Sequence, residues 1–339
     1  MNEPAISVVL PTWDTFDALR TTIAHLGRQT IAGRIELLIC APDADRFPVD
    51  ADAVAPLHSV RVLEAGDLVA TGPARARAIR EARAEVIAFT EDHCFPDPTW
   101  AEALLRAHRE PHAAVAPALR NANPETLVSW ADLMIGYGRW IAPGRRGVLS
   151  LLPGHNISYK RSLLLQYGAD LDRLMEAETL LLWDLRSRGH TLLFEPAATT
   201  AHTNFSRLGV WLDAQWHLGR VFAATRAAGW PVLKRAAYAA ASPAIPFIRL
   251  GHIVRYGLRN GLPASRIAVT LPLITVGLAV DFVAQATGAL FGSGASTARL
   301  SAYEFHRADV NRTGRPPSRD HQRLTTTDAS PNAAEARSG

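Results

Sequence analysis

The chain has 339 residues and 48% of them are hydrophobic, enough for a sizeable core in one large domain or one domain with an appendage. Net charge is only +4, Arg far outnumbers Lys, and the basic residues are scattered. That pattern excludes a basic nucleic-acid stripe and suits an anionic lipid or a phosphorylated substrate. The two cysteines, Cys40 and Cys94, form no disulfide framework and no zinc pattern, so both are expected as reduced thiols. The opening "MNEPAISVVLPTW" lacks the basic region and apolar core of a signal peptide, which predicts a cytoplasmic catalytic portion.

In chain order, "ISVVL", "IELLIC", "VRVL" and "EVIAF" are short apolar runs that read as strands buried on both faces. Helical patterns separate them. Leu19, Ile23 and Leu26 make one apolar face, and residues 73–84 follow a Gly-Pro start with Ala and Arg. Asp97-Pro98 reads as an N-cap followed by Pro at the first helical position. This alternation predicts an α/β fold with a mainly parallel, Rossmann-like sheet, whose ligands bind beyond the carboxyl ends of the strands. Pro11-Thr12-Trp13-Asp14, Ala41-Pro42-Asp43 and Glu91-Asp92-His93 all fall at such ends. For the last triplet, a solvated turn and a cleft-facing site are both open from these residues alone.

Further on, "GHNISYKRSLLLQYG" reads as a strand entering a helix, and "EAETLLLWDLRSRGHTLLFEP" as a helix, a Gly stop and a strand. Helical patterns dominate residues 206–260, broken at Pro243 and Pro246. Residues 267–291 carry a single charge, Asp281, and are preceded by Lys234, Arg235, Arg249, Arg255, Arg259 and Arg266. The length and the basic flank fit attachment at the cytoplasmic face of a membrane, peripheral or single-span, and a pair of buried helices is the competing reading. The expected division is one α/β domain over 1–205, in two halves at 1–120 and 121–205. A helical, membrane-associated appendage follows at 206–292, and a disordered polar tail at 293–339.

Four stretches, in order across about 200 residues, resemble the family 2 glycosyltransferases with a GT-A fold: "ISVVLPTWDTFDALRTTIAHLGRQT", "GPARARAIREARAEVIAFTEDHCFPDPTW", "GHNISYKRSLL" and "EAETLLLWDLRSRGHTLLFEPAATTAH". The resemblance implies an inverting transfer of sugar from a nucleotide-diphosphate donor to a glycan or lipid-linked acceptor in envelope polysaccharide synthesis, helped by Mn²⁺ or Mg²⁺. It also implies site residues. Pro11, Thr12 and Trp13 would form the nucleotide turn, with Trp13 stacking on the base or packing on the first helix. Glu91 and Asp92 would contact ribose and metal. Asp92, His93 and His202 would ligate the metal, although His93 as a diphosphate hydrogen-bond donor and His202 as a loop residue remain open. Arg75 would support the nucleotide-side carboxylates or be solvated. His155, Asn156 and Trp100 would line the acceptor side, unless Trp100 is core. Glu178 would be the general base, with Glu176 in reserve on another helix face.

The sequence also departs from the family pattern. Ala41-Pro42-Asp43-Ala44 stands where paired aspartates are usual, so only Asp43 or Asp45 is left to read the nucleobase. Histidine replaces the second aspartate of the metal motif, and Glu178 replaces the aspartate of the base motif by its distance from Gly189. These changes keep a second class open, a non-catalytic protein that binds a nucleotide sugar or a partner. A nucleotidyltransferase is a third.

Overall fold

In a computed structural model the described residues are 3–66, 71–176 and 178–315. Nine strands form one mixed sheet: β1 Ile6–Pro11, β2 Ile35–Ala41, β3 Ser59–Glu64, β4 Val86–Phe89, β5 Cys94–Pro96, β6 His112–Asn121, β7 Gly147–Leu149, β8 Ile157–Lys160 and β9 Thr191–His202. The order is β3-β2-β1-β4-β8-β6-β9-β5, with β7 on β9. The first four strands are parallel, as their uninterrupted apolar runs require. Parallel pairing recurs only between β6 and β9, while β4–β8, β6–β8, β5–β9 and β7–β9 are antiparallel. This is the GT-A type of sheet expected from the sequence, with its parallel pairs concentrated among β1 to β4.

Side chains alternate across β1. Ile6, Val8 and Leu10 pack against the helices Phe16–Gly27 and Trp100–Ala107, while Val9 joins the core beneath the helices Gly72–Glu81 and Leu127–Tyr137. The helix at 100 begins two residues later than Asp97-Pro98 indicated, with Thr99 as its N-cap residue. Asp97 pairs with Arg120 instead of capping.

The helices Leu208–Arg226 and Ala264–Phe291 lie against each other at glycines. A Cβ on Gly219 would meet Asp281 Oδ1 at 2.7 Å, and one on Gly277 would meet Trp211 Cη2 at 2.6 Å. Asp281 is buried, ion-paired to Arg249, and accepts from Gln285 Nε2 at 2.7 Å. Helix 264–291 is long and apolar enough to cross a membrane, yet its inner face is packed on the domain. The expected polar tail is corrected over 293–315. Helices Ser296–Phe305 and Arg307–Thr313 form there and return to the carboxyl ends of β1 and β4. They do so because Tyr303, Phe305 and Val310 are apolar enough to be buried. The remainder of the predicted tail, 316–339, lies outside the described residues.

Candidate active site

The register of β1 with β4 sets the site. Val9 pairs with Phe89, so Pro11 and the Glu91-Asp92-His93 turn emerge side by side. Thr22 Oγ1 lies 2.8 Å from Asp92 O and 3.0 Å from Cys94 O, fixing that turn to the first helix. Cys94 on β5 faces His202 on β9 in antiparallel register, which brings the closing histidine to the acidic turn.

Ligand atoms of Glu91, His93, Cys94 and His202 all lie within 4.8 Å of one another, and all four residues are buried. His93 Nδ1 donates to Asp92 Oδ1 at 2.7 Å. Its Nε2 is buried without a hydrogen-bond partner, 3.8 Å from Glu91 Oε2. His202 Nδ1 donates to Asn204 Oδ1 at 3.0 Å, which leaves Nε2 facing the same Glu91 oxygen at 3.8 Å, with the Tyr137 hydroxyl 3.3 Å away. Each imidazole is thus held through one nitrogen so that the other points inward, the usual arrangement of metal-ligating histidines.

One carboxylate and two imidazoles suit Mn²⁺ better than Mg²⁺. Of the expected ligands Asp92, His93 and His202, the structure brings the two histidines together with Glu91, while the Asp92 carboxylate is engaged by His93 Nδ1.

The two imidazoles differ electrostatically. Burial, then the positive charge on His93, push His202 well below the ordinary imidazole value, so it stays a neutral donor of its lone pair. Burial would lower His93, but Glu91 and Asp92 outweigh it and raise it. Burial would raise Glu91, yet His93, then His155, His202 and Arg307, hold it below the carboxylate range. Burial raises the Cys94 thiol well above its usual value, and the thiol donates to Glu91 Oε2 at 3.4 Å.

A cleft of about 260 Å³ opens in front of this cluster, lined at its polar end by Pro11, Arg75, Glu91, Asp92, His93, His155, Glu176 and Glu178. Arg75, from the helix Gly72–Glu81, is ion-paired with Glu178 and lies 3.1 Å from His155 Nδ1. It therefore supports Glu178, not Glu91 or Asp92. Glu176 Oε2 accepts from Gly72 N at 2.7 Å, at the start of that helix. Glu176 and Glu178 both reach the cleft, contrary to the single-helix expectation, because they belong to separate helices, Leu171–Glu176 and Glu178–Ser187.

His155 is half-exposed on the cleft, 3.4 Å from Glu91 Oε1. Asn156 is buried and donates to Glu91 Oε2 at 2.9 Å, so it anchors that carboxylate and does not line the acceptor side. Thr12 is buried and its Oγ1 accepts from Asp14 N at 3.0 Å, a turn-forming role. Trp100 is core, packed beneath β1. Asp43 lies off the cleft, accepting from Asp45 N and Arg46 N. Trp13 stacks on Phe305 with centroids 4.8 Å apart, and Asp14 pairs with His306 at 3.3 Å, so the C-terminal helices cover the turn meant for the base. Buried Arg307 sits beyond them over the Phe205 ring, facing Asp132 at 3.5 Å.

Residues 7–168 match the family described as Glycosyl transferase family 2. This segment is similar to family 2 glycosyltransferase domains. Solved structures similar to it include GalNAc-T7 with UDP, GalNAc and Mn²⁺, at 13% identity and TM-score 0.44, over 59% of this chain and 43% of that one. Another is Staphylococcus aureus TarS 1–349 in complex with UDP, at 14% identity and TM-score 0.42, over 84% of this chain and 90% of that one. A third is a mycobacterial protein, at 18% identity and TM-score 0.38, over 59% of this chain and 68% of that one. The chain thus spans less than half of GalNAc-T7. No curated protein matches it.

Glu304, Phe305, His306 and Arg307 were absent from the sequence reading of the site. Their one local signal was an aromatic and charged cluster inside a segment that otherwise reads as polar.

Proposed function

We propose that the protein is an inverting glycosyltransferase that moves a sugar from a nucleoside-diphosphate donor to a glycan or lipid-linked acceptor in envelope polysaccharide synthesis. The observation that carries this is the convergence of Glu91, His93 and His202 at one end of a cleft that also presents Glu178. Those three residues would hold Mn²⁺, or less favourably Mg²⁺, and a bound cation would neutralise charge developing on the leaving diphosphate. Asp92 and Asn204 orient the two imidazoles, and Asn156 orients Glu91. Pro11 and His155 border the donor. Glu178 takes the proton of the attacking acceptor hydroxyl, and Arg75 fixes the direction of its carboxylate. A single base with direct displacement inverts the configuration at C1.

The membrane is the proposed location, at its cytoplasmic face. Helix 264–291 and the exposed side chains Val232, Leu233, Phe247 and Ile248 support this, together with the basic residues around them. The in-plane, peripheral mode fits better than a span, because crossing would strip the helix from Trp211 and from the Arg249–Asp281 pair.

The test is binding of UDP and GDP with and without Mn²⁺ by calorimetry, followed by transfer from the matching sugar donors. Glu178→Gln should keep Mn²⁺-dependent nucleotide binding and lower transfer by about 10²–10⁴-fold. Nucleotide binding with no turnover from any donor would instead favour a non-catalytic, nucleotide-sugar-binding protein.

A further inference from the structure

The cleft has a second end that sugar chemistry does not need. Along the helix Leu208–Arg226, the residues Leu218, Val221, Phe222, Thr225 and Arg226 line it. The spacing i, i+3, i+4, i+7, i+8 marks one face of the helix, about 12 Å long at 1.5 Å per residue. Leu300 faces this stripe from the helix Ser296–Phe305, and Leu180 and Trp183 close it from the helix that begins with Glu178. Apart from Leu180, which packs against the core, these side chains belong to the wall of the cleft. Leu218 is 43% exposed, Trp183 43% and Phe222 38%. Leu218, Val221, Phe222 and Leu300 offer a polar glycan no hydrogen-bonding side chain.

The stripe ends at Arg226, whose guanidinium lies over the rings of Trp230 and Tyr238. Next in the chain come Val232 and Leu233, 80% and 82% exposed. From 227 to 292 the only acidic residue is Asp281, and it is buried against Arg249. The apolar end of the cleft therefore leads toward an outer surface that is apolar and cationic, the complement of an anionic lipid layer. Residues 316–339 hold one large apolar residue, Leu324, and are poorly suited to fill the wall.

We propose that the acceptor is an amphiphile. Its hydroxyl-bearing head lies at Glu178, and its hydrocarbon part lies along Leu218, Val221, Phe222 and Leu300 and leaves past Arg226 toward the membrane-facing surface. The inference rests on the sugar-transfer reading and narrows its acceptor to a lipid-linked one.

Alkyl β-glucosides from methyl to decyl, below their micelle concentrations, probe the full chain in the presence of UDP and Mn²⁺. Calorimetry should show affinity rising by roughly fourfold for each methylene buried. Leu218→Asn and Phe222→Ser should flatten that slope while leaving UDP affinity unchanged. Phe247→Ser, on the outer surface, should leave both the slope and UDP affinity as they are. A flat series in the wild type overturns the proposal, as does a slope that survives both wall variants or is lost in Phe247→Ser. Sedimentation of the same samples covers another occupant: a dimer that dissociates in the wall variants would mean that a second copy fills the wall, which also overturns it. Failure of UDP to bind would sink the sugar-transfer reading separately, whatever the alkyl series shows.

Discussion

Gly154→Ala would displace the proposed base without deleting it. A Cβ built on Gly154 stands 2.7 Å from Glu178 Cδ, nearer still to Oε2, and 3.1 Å from its Cβ. Ordinary contact begins near 3.4 Å, so the carboxylate has to retreat by about 0.7 Å or more. The backbone of Gly154 is not in the left-handed region, and the obstructing atoms end a side chain, so the fold should tolerate the change. Misplacement by about 1 Å can cost about 10²-fold in rate, which sets the expectation at roughly 10- to 100-fold in kcat with donor affinity nearly constant. The assay is release of nucleoside diphosphate from whichever donor turns over, with thermal melting as a control for folding. Gly154→Ala combined with Glu178→Gln should be no slower than Glu178→Gln alone, since both act on one carboxylate. Wild-type kcat in Gly154→Ala, or additive losses in the double variant, would refute Glu178 as the positioned base.

His93→Ala should abolish Mn²⁺-stimulated nucleotide binding, whereas Asp92→Asn should weaken it by about 10–100-fold, as expected for a residue that orients a ligand; equal losses in calorimetry would return Asp92 to the metal. Burial raises the Asp132 carboxyl from 3.8 to about 6, with Arg307 opposing. Its protonation therefore contributes stability that is fully present below the unfolded value and is lost as pH rises through about 6, about 3 kcal/mol in total. Urea unfolding of Asp132→Asn and wild type should diverge by that order between pH 4 and pH 7, and parallel curves would contradict it. Deleting residues 262–339 should yield aggregated chain in an ultracentrifugation assay, because the deletion bares Trp211 and Ile135; a soluble, UDP-binding truncation would show that helix 264–291 is dispensable packing.

Much of the fold was legible because its signals are local. The uninterrupted apolar runs of β1, β2 and β4 and the Gly-Pro start at 72–73 report burial and helix initiation within a few residues. The acidic triplet at 91–93 was legible as a strand-end turn beside the cleft, but which of Glu91 and Asp92 faces the histidine cluster needed the direction of each side chain. That direction is set by Asn156 and by the His93 ring, neither of which leaves a local trace. Trp13 and Trp100 show the same limit. Both are aromatic residues near a strand end, and only distant partners, Phe305 for one and the core beneath β1 for the other, separate a covered turn from a buried anchor. The 293–315 segment was misread because its composition is polar overall, while its burial depends on apolar residues meeting partners as distant in the chain as Phe205 and Trp13.

That C-terminal cover also places a clock on synthesis. Asp14 and its partner His306 are separated by 292 residues. At about 5–20 residues per second, the ribosome takes roughly 15–60 s to travel between them. The first strands and the acidic turn can therefore fold long before the helices that wall the cleft exist. A nascent chain holds an open half-site through that interval, and the enclosed site forms only once the helices Ser296–Phe305 and Arg307–Thr313 have been made.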